Sequence, residues 1–129
     1  MIKSHFDSVK KTISELEWLT DSISVQSEFG PDDSIGIISG IIVFKDGSTF
    51  HFKEVHLPAS RKYRFHYMNQ DNQLICRWDN APHHHEIETF PDHVHFPNEI
   101  RENAPMDLLE ALRHIEEQVS DWLSNQIDA

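Results

Sequence analysis

From Tyr63 to Asp79 apolar and polar side chains alternate in two runs, and a period of two on both sides of a polar break admits a β-hairpin and little else. Tyr63, Phe65 and Tyr67 alternate with Arg64, His66 and Met68. Leu74, Cys76 and Trp78 alternate with Ile75, Arg77 and Asp79, and the stretch Asn69 to Asn72 separates the runs. A turn at Asp71-Asn72, or over Gln70 to Gln73, sets Asn69 against Leu74, Tyr67 against Cys76, His66 against Arg77, Phe65 against Trp78 and Arg64 against Asp79. One face then carries Tyr63, Phe65, Tyr67, Leu74, Cys76 and Trp78 as core. The other carries Arg64, His66, Arg77 and Asp79. Antiparallel sheets commonly show one face to water, and an Arg64–Asp79 pair there is ordinary decoration worth roughly 0.2–1 kcal/mol.

The rest of the chain extends this pattern. Ile2, Phe6, Val9, Ile13, Leu16 and Leu19 recur at threes and fours, so the first 19 residues read as an amphipathic helix. Ser22 to Phe29 alternates, and Ile35 to Lys45 is nearly continuous in apolar residues, with Gly36 and Gly40 allowing a bulge or a close backbone approach. Lys45-Asp46-Gly47-Ser48 is a turn; read as type I′, it closes a hairpin with Ser48 to Leu57 in which Phe50 and Phe52 share a face with Val43 and Ile41, opposite His51 and Lys53. Asn103-Ala104-Pro105 starts a last helix with Asp107 and Glu110 near its positive end, and Leu108, Leu112, Ile115, Val119 and Trp122 form its stripe. The expected fold is a single α+β domain over residues 1–129: an antiparallel meander of about five strands, with the N- and C-terminal helices on one face.

The chemistry gathers beyond the hairpin. Its second strand runs into Asp79-Asn80-Ala81-Pro82-His83-His84-His85, where a proline stops the ladder, and Phe90-Pro91-Asp92-His93-Val94-His95 puts His93 and His95 on one side of an extended segment. Of the 10 histidines, all but His5 and His114 lie between His51 and His95; those two read as helix-surface residues without a role, and His85 as solvent exposed. Cleavage of RNA by a 2′-hydroxyl needs a base, an acid and cations, which imidazoles and guanidiniums supply with no cofactor. His66, flanked by Arg64 and Arg77, suits the base or acid, with His83 or His84 as its partner and Asp79 orienting an imidazole or holding Arg64. A rival reading places zinc or another divalent ion on His83 or His84, His93 and His95, with Asp79. A third makes Asn80, Pro82, Phe90 and Pro91 the frame of a loop that presents histidines to a partner protein.

Residues 63–96, YRFHYMNQDNQLICRWDNAPHHHEIETFPDHVHF, also resemble the TumE-like toxin family of bacterial toxin–antitoxin modules. Members of that family carry an RYHY strand, an RYDNAPHH strand and turn, and a TFPHHKH segment before a C-terminal helix. Tyr63, Arg64, His66, Tyr67, Leu74, Ile75, Arg77, Asp79 to His84, Phe90, Pro91, His93 and His95 fall on that pattern. Phe65 and Trp78 replace tyrosines, and His85 stands where a proline is common. Asp92 and Val94 replace more basic residues, removing positive charge from the place where a nucleic acid would lie. The resemblance implies a toxin held inactive by a cognate antitoxin; RNA as its substrate is an expectation from the residues.

Composition bears on partners and compartment. The formal net charge is −11, so contact with RNA has to be local to the arginine and histidine cluster, and a basic protein partner is equally suited. Lys53 to Trp78 is the exception, its basic residues opposed only by Glu54 and Asp71. No apolar run approaches the roughly 18 residues of a membrane span, no secretory signal is evident, and a lone Cys76 on the core face fits a reducing cytoplasm.

Overall fold

The computed structural model describes residues 1–127. Helix α1 (Ile2–Glu15) leads through a short 3₁₀ turn (Glu17–Leu19) into strands β1 (Thr20–Phe29), β2 (Gly36–Phe44), β3 (Thr49–Leu57), β4 (Ser60–Met68) and β5 (Leu74–Asp79). A loop then precedes β6 (His93–Phe96), β7 (Glu99–Glu102) and helix α2 (Leu108–Ile127). The sheet has 7 strands in sequence order, every neighbour antiparallel, so the meander is as expected but two strands wider than about five. In the added hairpin β6–β7, the first strand lies in the segment read as extended but not paired into the sheet and the second in a polar stretch, each only 4 residues long.

Both helices cover one face. Ile2, Phe6, Val9 and Ile13 of α1 and Leu108, Ala111, Leu112, Ile115 and Val119 of α2 join a core that includes Phe50, Phe52, Phe65, Tyr67, Cys76, Trp78 and Val94 from the sheet. Asp107 caps α2, its carboxylate accepting from the Leu109 N–H at 3.0 Å, so the helix begins after the Asn103-Ala104-Pro105 start read from the sequence. Arg61 holds the preceding segment by donating to the Met106 carbonyl at 2.7 Å. Cys76 is buried, and burial pushes its thiol up to about 12, so it is an inert core residue.

Two registers differ from the sequence reading. The β2–β3 connection is not type I′: only Gly47 has positive φ, at 85°, and the Phe44 N–H donates to the Ser48 carbonyl, closing a longer loop. That one-residue shift turns every side chain of β2 over, so Phe50 sits opposite Ile42 and Phe52 opposite Gly40, while Ile41 and Val43 face outward with His51. In β4–β5 the expected pairs from Arg64–Asp79 to Tyr67–Cys76 are all present, but a bulge then pairs Met68 with Leu74, and Ile75 rather than Leu74 packs against the core.

Gly40 lies under the Phe52 ring, where an added Cβ would come within 2.5 Å of Phe52 Cζ and 2.8 Å of the Ser24 carbonyl oxygen. Gly40→Ala is therefore expected to lower unfolding stability by about 1–3 kcal/mol, read by urea denaturation. An unchanged midpoint would mean that the ring moves aside freely.

Candidate functional site

The uncovered face of the sheet is laid out in two rows by the strand registers. His51, His66, Arg77 and His95 stand side by side on β3, β4, β5 and β6, and Lys53, Arg64, Asp79 and His93 form the next row. With adjacent antiparallel strands about 5 Å apart, His66 and His95 flank Arg77 at roughly 10 Å from each other at the backbone. Two shallow hollows open here. One, about 570 Å³, is lined by His51, Lys53, Arg64 and His66; the other, about 620 Å³, by Lys53, Lys62, Arg64, Arg77 and Asp79. Lys53 and Arg64 border both, and among the described residues Lys53, Lys62 and Arg64 have no carboxylate within 4.0 Å. A chain of net charge −11 thus keeps unneutralised cations together on one face.

Asp79 does not hold Arg64. Its side chain is nearly buried and accepts from Arg77 Nε at 3.0 Å and from the Ala81 N–H at 3.0 Å, while His93 Nε2 stands 2.9 Å from Oδ1 and His95 Nε2 3.4 Å from Oδ2. The two imidazoles meet at 2.8 Å between their Nε2 atoms, and His93 Nδ1 lies 2.7 Å from the Pro91 carbonyl. Since a carbonyl only accepts, Nδ1 carries the proton there. His93 is 2 % exposed, so this meeting of donor atoms is dry.

The loop from Asn80 to Asp92 closes over that point. The Asn80 amide continues the ladder of β4 in place of a strand, its Oδ1 accepting from the Tyr63 N–H at 3.0 Å and its Nδ2 donating to the Arg61 carbonyl at 2.7 Å. At the other end Asp92 accepts from the Tyr63 hydroxyl at 2.6 Å, and Thr89 Oγ1 donates to the Asp92 carbonyl at 2.6 Å while accepting from the Asn103 N–H at 2.9 Å. The Phe90–Pro91 peptide is cis. Held this way, the loop sets the His84 ring against His93 and His95, at centroid distances of 4.9 and 5.5 Å.

His83 is exposed and stands outside this group; His85 is also exposed and stacks on Phe90 at 4.3 Å. Neither Asp92 nor Val94, which stand where the resemblance expects more basic residues, acts on the open face, because Val94 points into the core and the Asp92 carboxylate accepts from Tyr63.

His66 is half-buried and its Nδ1 is a buried polar atom with no hydrogen-bond partner. Partial burial, with the Arg77 and Arg64 guanidiniums and His51 nearby, holds its imidazole below the usual range, so it is neutral at pH 7. His95 is lowered to about 4, by partial burial first and then by Arg77. The face therefore offers two uncharged imidazoles on either side of a guanidinium: groups able to take a proton, next to groups able to hold an anion.

A second polar group went unread in the sequence. On the helix-covered face Glu54 is fully buried, its Oε1 within 2.7 Å of both His5 Nε2 and His56 Nε2 and its Oε2 accepting from Arg61 Nη1 at 2.9 Å. His5 is thus no idle surface residue, whereas His114 is exposed on α2 as read, its ring centroid 6.0 Å from that of Trp78. Glu54 at the parity of Phe50 and Phe52 is the one local hint.

No helix among the described residues is long and apolar enough to cross a membrane. Neither a curated protein nor a solved structure gives a match to the chain. The family described as Toxin TumE does, over residues 9–123, which spans the second half of α1, all of the sheet and most of α2 as well as the hairpin and histidine segments that carried the resemblance. The chain belongs to the TumE toxin family.

Proposed function

We propose that this toxin cleaves RNA on the open face of its sheet and is neutralised in its host by a cognate antitoxin. The observation that carries the reading is that His66, its imidazole held below the usual range, lines one hollow with the unneutralised Lys53 and Arg64 and stands opposite Arg77. Lys53, Arg64 and Arg77 hold the phosphate and meet the charge that builds on it during attack. His66 takes the proton of the attacking 2′-hydroxyl. The leaving 5′-oxygen takes its proton from water, and His66 returns its own to solvent, because His95 across Arg77, lowered to about 4, has none to give at neutral pH.

The test is expression of the chain alone, followed by incubation of the purified protein with RNA. Growth arrest and cleavage by the wild type, both lost in Arg64→Ala, support the reading; intact RNA at high protein concentration contradicts it and leaves a binding protein. Contact through three or four cations also fixes the salt dependence: log Kobs for single-stranded RNA should fall against log salt with a slope of about −2 to −3. Filter binding or fluorescence anisotropy across a salt series reads this, and an affinity insensitive to salt would place the RNA elsewhere.

A further inference from the structure

We infer that His84, His93, His95 and Asp79 form a binding site for zinc or a similar borderline divalent cation. One ring nitrogen from each of the three histidines lies within 4.8 Å of the others, and the two Asp79 oxygens adjoin those of His93 and His95. With Nδ1 of His93 committed to the Pro91 carbonyl, its Nε2 is the atom that faces Asp79 Oδ1 and His95 Nε2. A carbonyl behind the far nitrogen of a ligating imidazole is the usual orienting partner in metal sites.

The spacing fits a small tetrahedral ion. Donors held at roughly 2.0–2.1 Å from zinc stand about 3.3 Å apart. Here the separations are 2.8, 2.9 and 3.4 Å, and only His84, carried by the loop, has further to close. Three imidazoles and a carboxylate are an appropriate set for zinc. The other group of metal-type donors, Glu54 with His5 and His56, offers two imidazoles rather than three. An ion at the first site pins the loop to β5 and β6 and adds its charge beside Arg77, and its binding stands or falls independently of any action on RNA.

The untagged chain, stripped with a chelator and dialysed, is titrated with zinc by calorimetry and with cobalt by visible absorption. Wild type and His83→Ala are expected to take a single saturable equivalent, with the ligand-field bands of tetrahedral cobalt and a rise in thermal midpoint on zinc addition. His84→Ala and His95→Ala, with unchanged circular dichroism, are expected to lose all three responses. Since His84 lies on a loop, its variant decides the matter should His95→Ala fail to fold. Absence of saturable binding to the wild type, or a full equivalent kept by His84→Ala, overturns the site.

Discussion

His66→Ala is expected to lower RNA cleavage by about 10²–10⁴-fold and to relieve growth arrest, with the fold intact. The side chain is half-buried on the open face and its Nδ1 makes no hydrogen bond, so its removal strands no partner. The pH profile separates a base from a merely structural residue. Burial and the neighbouring guanidiniums hold His66 below its ordinary 6.5, so kcat/KM should rise with pH along a limb whose midpoint lies under 6.5 and be flat through neutrality. Arg77→Gln removes one of the charges that depress the imidazole and should move that limb to higher pH. A limb that stays where it is in Arg77→Gln, or a His66→Ala variant that cuts normally, removes His66 from the chemistry.

Glu54→Ala is expected to cost about 3–5 kcal/mol of unfolding stability, because it leaves Arg61 and two imidazoles around an empty, buried position. The corresponding fall in thermal midpoint is roughly 10–20 °C. The same group sets a pH window. Burial opposes its charge, but hydrogen bonds from His5 and His56 and the Arg61 charge prevail and take Glu54 from 4.5 down to about 2, which corresponds to about 3 kcal/mol. That contribution is complete above the unfolded value and drains away as pH falls from about 4.5 toward 2. His5 is shifted the opposite way, raised from 6.5 chiefly by its hydrogen bond to Glu54; its contribution is complete below 6.5 and is lost as pH climbs through the raised value. Urea unfolding across pH should thus find greatest stability between about 4.5 and 6.5, and the loss on each side should be smaller in Glu54→Ala. A variant as stable as wild type would show that the buried pairs only offset their own desolvation.

What the sequence disclosed, and what it withheld, follows from the range of the interactions. The faces of β4 and β5 were legible because period-two alternation fixes sides, and the pairs from Arg64–Asp79 to Tyr67–Cys76 followed from counting outward from a turn. The same counting failed for β2 and β3, since Asp46-Gly47 suits either a two-residue type I′ turn or a longer loop with positive φ only at the glycine; the sequence does not distinguish them, and one residue of difference inverts a face. His93 and His95 were legible as neighbours, but their strand needed β5 on one side and β7 on the other to exist at all. Asp79 was placed beside Arg64 on pairing alone, whereas its side chain leans along its own strand to Arg77 and across to β6. The choice of His84 over His83 rests on how the Asn80 and Asp92 anchors fold the loop, and contacts such as Tyr63 to Asp92 or His5 to Glu54 join residues far apart in the chain.

The claim that the open face runs 2′-hydroxyl chemistry meets its most direct test in the ends of the RNA it cuts. An oligonucleotide cleaved by the purified chain should yield a 2′,3′-cyclic phosphate and a 5′-hydroxyl, and a single 2′-deoxy substitution at the scissile nucleotide should abolish the cut. Equal cutting of the deoxy substrate, or products bearing 5′-phosphates, would contradict the account.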